Sequence, residues 1–419
     1  MRRPLLVNIY LMLTALAPTA LEHGFKRLHS RQGADPKRVS ERFGHAGLPR
    51  PDGRLIWIHA SSVGEVTSVS KLAREIMSQT GASLLITTMT ATGGQIVARN
   101  LPEALHQFLP VDTPAAVDRF LAYWQPAATF FVEGDLWPRM ISKLAGSDIP
   151  IALLNARSSR SRKRFRRSFE YLLAPMALIT VQDEKLRNEF ITLGVDEKNV
   201  KAPGNLKTDI EPLSVNKERC AQIAASATDR WVWAAVSTHP AEEEVVLDAY
   251  AQLPGNPVLV LVPRHPDRGN AVADMLVHRG LHFTRESAGE IPQAETQVHL
   301  VDVLGETGFV YSAAKLAFIG GSLFKGIGGH TPYEPAMFDC GIISGPHVDN
   351  FSTAYTELRR MGAAREAQDA QDLSNIIIQL MSDPEALANM QRSARKVQQL
   401  QSGAAKRTMA LIDQMLRHR

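Results

Sequence analysis

From Leu55 onward the chain alternates short, continuously apolar runs with amphipathic stretches. Residues 55–59, 83–88, 128–132, 149–154 and 178–181 have strand length and little polar alternation, the pattern of strands buried on both faces. Between them, 66–79 and 114–124 carry apolar residues at helical spacing. The alternation predicts a doubly wound α/β domain built on a parallel sheet. After Pro203-Gly204 and a polar stretch over 211–218 the pattern resumes, with strands expected at 231–236, 258–262, 298–301, 316–319 and 341–344. Two Rossmann-like halves joined near Pro212 are the most economical architecture. Residues 384–419 read as helical and are assigned to the second half, so the expected domains are 39–212 and 213–419.

Residues 1–38 differ. Arg2 and Arg3 precede a largely apolar segment over 4–21, interrupted by Asn8, Thr14 and Thr19 and followed by Lys26, Arg27, Arg31, Lys37 and Arg38. It lacks a clear small-residue cleavage site and sits at the short end of the ~20 residues that a spanning helix needs. It reads as a retained membrane-anchor helix, either inserted or lying in the interface, with a buried soluble helix as the alternative.

The chain has 419 residues, 44% hydrophobic and 21% charged, enough for two domains with proper cores. Its net charge of +4 is the small difference between 47 basic and 43 acidic residues, too slight to imply nucleic acid. The two cysteines, Cys220 and Cys340, lie far apart without metal-ligand spacing and read as free thiols of a reducing compartment.

Ligands of open α/β sheets bind beyond the carboxyl ends of the strands, so the residues following each strand are the candidates for chemistry. Glu65 follows the turn His59-Ala60-Ser61-Ser62-Val63-Gly64, and is either a general base or a carboxylate complementing a helix dipole. Glu133 and Asp135 end another strand, and period two points both to one side until the chain turns. They could orient a sugar or tune Glu65, or one could cap the next helix. Arg157 opens a basic run through Arg160, Arg162, Lys163 and Arg164, suited to an anionic surface or to a solvated helix face. Lys207 and Arg264 bring cations to the expected cleft, and the glycine-rich loop after 316–319 leads to a helix capped by Thr331 with Pro332 at its first position. Together they suit a phosphate-bearing ligand, with Glu334 placed to accept from a ribose hydroxyl. His239 and His265 lack ligand spacing, so no metal site is expected.

Taken in order, residues 59–65, Thr87-Thr88-Met89-Thr90, 133–138, Asn155-Ala156-Arg157, 204–207, 263–266, Gly305-Glu306, Gly320-Gly321-Ser322 and 328–334 resemble the motifs of the 3-deoxy-D-manno-octulosonic acid (Kdo) transferases of Gram-negative bacteria, over nearly the whole chain. The resemblance implies a GT-B fold, two Rossmann-like domains facing a central cleft. It implies inverting transfer of Kdo from CMP-Kdo to a tetra-acylated lipid A precursor at the cytoplasmic face of the inner membrane, without a metal in the transfer. Carried over, Glu65 is implied as the base, with Glu133 and Lys207 supporting the transition state. Pro263, Arg264, Leu304, Gly305, Glu306, Thr331, Pro332, Tyr333 and Glu334 match the CMP-contacting segments. The basic run from Arg157 to Arg164 would face the acidic lipid. The sequence departs from the family pattern at Asp135, usually Glu, at Thr331, usually Asn, and in a glycine loop one residue longer, with Ile327 in it. A catalytically silent lipid- or nucleotide-binding paralogue and a GT-B transferase using another nucleotide sugar are the alternatives.

Overall fold

The structure is a computed structural model that describes residues 2–16, 18–159, 164–209 and 213–417. It divides into two units, 1–210 with 401–419, and 211–400. Each is built on a seven-stranded parallel sheet.

In the first unit the strands are β1 (Leu55–His59), β2 (Ser83–Thr88), β3 (Leu105–Phe108), β4 (Ala128–Val132), β5 (Ile151–Ala156), β6 (Met176–Val181) and β7 (Val200–Lys201), in the order β3-β2-β1-β4-β5-β6-β7. Ile58 pairs with Ile86 on one side and Phe130 on the other, placing β1 inside the sheet. All five of its residues are buried because helices cover both faces. The helix Val63–Thr80 lays Val66, Val69, Leu72 and Ile76 on one face, while Phe120 and Trp124 of Pro114–Trp124 pack on the other.

In the second unit, β8 (Val232–Thr238), β9 (Val258–Pro263), β10 (Phe283–Arg285), β11 (Val298–Leu300), β12 (Leu316–Ile319), β13 (Gly341–Ser344) and β14 (Ala364–Glu366) run in the order β10-β11-β9-β8-β12-β13-β14. Here β8 and β12 are central, with Phe318 beside Ala235.

The terminal stretch departs from expectation. It forms two helices, Pro384–Gln401 and Ala404–Arg417, and the second groups with the first unit. Its Ala404, Ala405, Met409 and Ile412 enter the same core as Leu72, Leu178 and Leu206. Asp209 ties the junction, accepting from the Ala405 amide at 2.6 Å and pairing with Lys71 at 2.6 Å.

The opening segment is also broken. The helix Leu5–Leu16 is followed by an amphipathic one, Pro18–Arg31, whose part Leu21–Arg31 lies at 85° to the first. At 1.5 Å per residue the first is about 18 Å long, against ~30 Å of bilayer hydrocarbon. Among the described residues no single helix is long and apolar enough to cross a membrane. Leu5 and Leu16, both 74% exposed, stand with Leu6, Met12 and Leu13 on its outer surface. Its inner side is held by Arg139, which reaches the Leu11 carbonyl and, at 2.8 Å, the Thr14 hydroxyl.

Candidate active site

Where neighbouring strands connect in opposite directions, the loops at their carboxyl ends part and leave a crevice. In the first sheet that place lies between β1 and β4, whose following residues include Glu65, Glu133 and Asp135. Glu65, in the first turn of Val63–Thr80, is half-buried. It folds back so that one oxygen accepts from the Ser61 amide at 2.7 Å and the other from the Ser62 hydroxyl at 3.3 Å. Burial raises its pKa, and the negative charges of Glu133 and Asp135 act the same way, against the Ser61 amide and His59. A raised pKa makes a carboxylate a stronger proton acceptor, which suits a general base.

Period-two alternation ends at the close of β4. Glu133 is left-handed, with φ 58°, and Gly134 follows at 137°, so the two carboxylates find different partners. Glu133, 5% exposed, lies 2.7 Å from the Lys207 ammonium and 3.0 Å from the Arg157 guanidinium. Asp135 meets His59 Nε2 at 3.1 Å. Burial would raise the Asp135 carboxyl, but His59, with help from Ser61 and Trp137, holds it below the ordinary range. Lys207 is set by two asparagines: Asn205 accepts from its amide and Asn155 from that of Leu206, each at 3.0 Å. A double cation is thereby fixed on one carboxylate beside the candidate base.

In the second sheet the reversal lies between β8 and β12, and the residues beyond them are His239 and the glycine loop. Gly320 passes so close to β8 that a Cβ there would stand 2.5 Å from the Ser237 carbonyl oxygen. Amides of the glycine loop are occupied in part by Glu242. This fully buried carboxylate accepts from Gly321 at 2.7 Å, from Ser322 and Leu323 at 2.9 Å, and from His239 at 3.0 Å. The helix after the loop is a single turn, Tyr333–Ala336, with Pro332 at the cap position rather than inside it. Thr331 accepts from the Tyr333 amide only at 3.4 Å. Glu334 is pushed up to about 7 by burial, opposed by Arg264. Arg264 itself is exposed, its amide bonded to the Thr238 carbonyl at 2.9 Å, where β9 leaves the sheet after buried Pro263.

The structure thus gathers Arg264, His330 and Glu334 around the β8–β12 reversal. Leu304, Gly305 and Glu306 follow β11, one strand beyond β9 on the same edge; Leu304 is exposed and Glu306 precedes the helix Thr307–Ala313. Of the basic run, Arg157 pairs with Glu133, and Arg164 is exposed over the Phe165 ring; Arg160, Arg162 and Lys163 lie outside the described residues. Glu242 escaped sequence reasoning because three glutamates opening a helix look like ordinary dipole complements. Among the described residues no group of three His, Cys, Asp or Glu side chains is placed to hold a metal ion.

Comparison with known proteins gives concordant results. A family model described as 3-deoxy-D-manno-octulosonic-acid transferase (kdotransferase) matches residues 37–210. The 3-deoxy-D-manno-octulosonic acid transferase of Haemophilus influenzae is 34% identical over 393 residues, covering 90% of this chain and 91% of its own. That of Bordetella pertussis is 31% identical over 427 residues, covering 97% and 98%. Among solved structures, MurG from Acinetobacter baumannii superposes with a TM-score of 0.56 at 15% identity, over 87% of this chain and 100% of its own, a likeness of fold.

Proposed function

We infer the reaction from the family: this chain belongs to the 3-deoxy-D-manno-octulosonic acid (Kdo) transferases, and with its GT-B type fold it is a glycosyltransferase that transfers Kdo in lipopolysaccharide biosynthesis. The donor we assign is CMP-Kdo and the acceptor a lipid A precursor. The acceptor hydroxyl attacks the anomeric carbon of Kdo, the bond from that carbon to the phosphate oxygen breaks, and CMP departs with the electron pair. Attack from the face opposite the leaving group inverts the centre. Glu65 takes the hydroxyl proton. The observation that carries this role is its carboxylate, raised by burial and aimed by Ser61 and Ser62 at the crevice end of β1. Lys207 and Arg157, locked on Glu133, supply fixed positive charge while negative charge develops.

In the second unit Arg264 answers the phosphate, and Glu334 suits a ribose hydroxyl. Pro263, Leu304, Gly305, Glu306, Thr331, Pro332 and Tyr333 complete the CMP-contacting set. The helix Leu5–Leu16 presents leucines outward and is followed by Lys26, Arg27, Ser30 and Arg31 around one pocket, which supports seating in the interface of an acidic leaflet, the cytoplasmic face of the inner membrane. Arg164 belongs to the same anionic-lipid surface.

The test is direct. Purified protein, CMP-Kdo and a lipid A precursor are incubated and the products counted by mass spectrometry. Kdo-bearing lipid supports the reading, and CMP binding without transfer to any lipid A precursor rejects it.

A further inference from the structure

Three imidazoles converge beyond β8, β9 and β12, and the transfer described above leaves them without a task. His239 follows β8, His265 follows β9, and His330 ends the glycine loop. His239 and His330 have ring centroids 5.2 Å apart and planes within 5°, while their Nε2 atoms are 2.9 Å apart. Nitrogens so much closer than the centroids place the rings end to end in one plane, joined by an N–H···N bond, and not face to face. His265 stands edge-on to His239 at 5.7 Å. The arrangement is built. Gly321, at φ +69°, leaves the space where a Cβ would sit 2.9 Å from the His330 ring; Tyr355 donates to the His330 carbonyl at 3.1 Å, and Glu242 accepts from the His239 amide.

Such a bond fixes the protons. One ring carries Nε2–H and the other a bare Nε2, because two Nε2–H groups would collide. The neutral pair then has one basic nitrogen left, the Nδ1 of the ring that donates. Among the described residues neither Nδ1 has a hydrogen-bond partner. The groups facing the pair are mostly positive: Arg264 and His265 from the end of β9, and Arg268 just after it, against Glu242, with Glu243 pairing Arg268 at 3.1 Å and Glu334 facing Arg264. Burial, then Arg264 and the neighbouring imidazoles, hold His330 down to about 4. Burial likewise lowers His239, though Glu242 opposes it. Near neutral pH the pair is therefore uncharged beside a permanent guanidinium, and it lacks only an anion to favour its charged form.

We propose that the His239–His330 pair is a proton-coupled anion site, in which an anionic oxygen group of the donor, seated beside Arg264, draws one proton onto the free Nδ1. This rests on the reading that the second unit takes CMP-Kdo. The proton comes from solvent and no covalent bond changes. The pair becomes an imidazole–imidazolium couple sharing one positive charge, whose new N–H donates to the anion. His265 is a neighbour and not a member, since no hydrogen bond joins it to the pair.

Calorimetry of CMP binding to the full chain tests this, at about pH 7 in buffers of different ionisation enthalpy. The expected result is uptake of at least about half a proton per CMP and none with cytidine. The nucleotide phosphate, which itself titrates near about 6, contributes equally in His330→Gln and is subtracted. That variant should lose the excess uptake and bind CMP about tenfold more weakly at the same pH. Free Kdo, with a carboxylate and no phosphate, identifies the source: uptake with Kdo alone assigns the site to the sugar carboxylate. CMP and Kdo both binding without excess uptake overturns the proposal and leaves the transferase reading intact. Binding of neither overturns both. If the variant does not fold, nitrogen-15 NMR of the wild-type histidines decides, because CMP or Kdo must move one Nδ1 signal from the imidazole into the imidazolium range, and signals that neither ligand moves reject the pair.

Discussion

Lys207 Nζ lies 2.7 Å from Glu133 Oε1, and the opposite oxygen of that carboxylate lies 3.0 Å from Arg157 Nε. A buried anion on a left-handed residue is thus tolerated because two cations from separate loops converge on it. Lys207→Met leaves Glu133 half-compensated and should cost about 2 kcal/mol, below the usual figure for a buried pair because Lys207 is partly exposed. Adding Glu133→Gln should restore part of that loss. Equal losses in the single and double variants by urea unfolding would show that the uncompensated charge of Glu133 is not what the Lys207 substitution costs.

Glu65→Gln should lower the transfer rate by about a thousandfold while CMP affinity stays within about tenfold, because the base acts only in the chemical step. Its raised pKa predicts that the rate falls on the acid side at a midpoint above that of an ordinary glutamate. Asp135→Asn removes one of the negative neighbours that raise Glu65, so the same limb should move to lower pH. A limb that stays in place separates Asp135 from the base.

Glu242→Ala strips the acceptor from four backbone amides at once. Charged hydrogen bonds of this kind are worth enough that a loss of about 3 kcal/mol or more is expected in the second unit, together with weaker CMP binding. Unchanged unfolding with unchanged affinity would remove the staple from the account of the loop.

Glu334 gives a pH dependence with a definite sign. Its folded value, about 7, lies above that of an unfolded glutamate, so between the two the folded state holds more protons. Stability should rise as pH falls from about 8 to about 5, and Glu334→Gln should remove that part of the slope. Calorimetric melting of both proteins across that range checks it.

Replacing Leu5, Leu6 and Leu16 with Ser removes apolar surface that the fold leaves uncovered. Binding to vesicles containing anionic lipid should fall by about tenfold or more, with little change in unfolding. Equal vesicle binding by variant and parent would place membrane contact elsewhere.

The central strands were legible because burial on both faces makes them continuous apolar runs. The strands that escaped, β3, β7, β10 and β14, are the four outer edges of the two sheets. Edge strands are short and half-covered, and β3 carries His106 and Gln107 where a central strand would carry leucine or valine. The same logic governs the sites. Residues at strand ends, such as Glu65, Glu133 and Arg264, can be found by locating the strands. Partnerships across the chain cannot: nothing local couples Glu242 to Gly321, His59 to Asp135, or His239 to His330. The helix Ala404–Arg417 was misassigned for a related reason, since amphipathic spacing reveals a buried face but not the core that buries it.

That helix bears on how the protein is made. During synthesis Leu72, Leu178 and Leu206 are displayed for about two hundred residues of further translation before the side chains that share their core, Met409 and Ile412, emerge. The first unit is therefore finished only after the second has been made. A premature stop near Gln401 would injure the unit that carries Glu65, the base we propose.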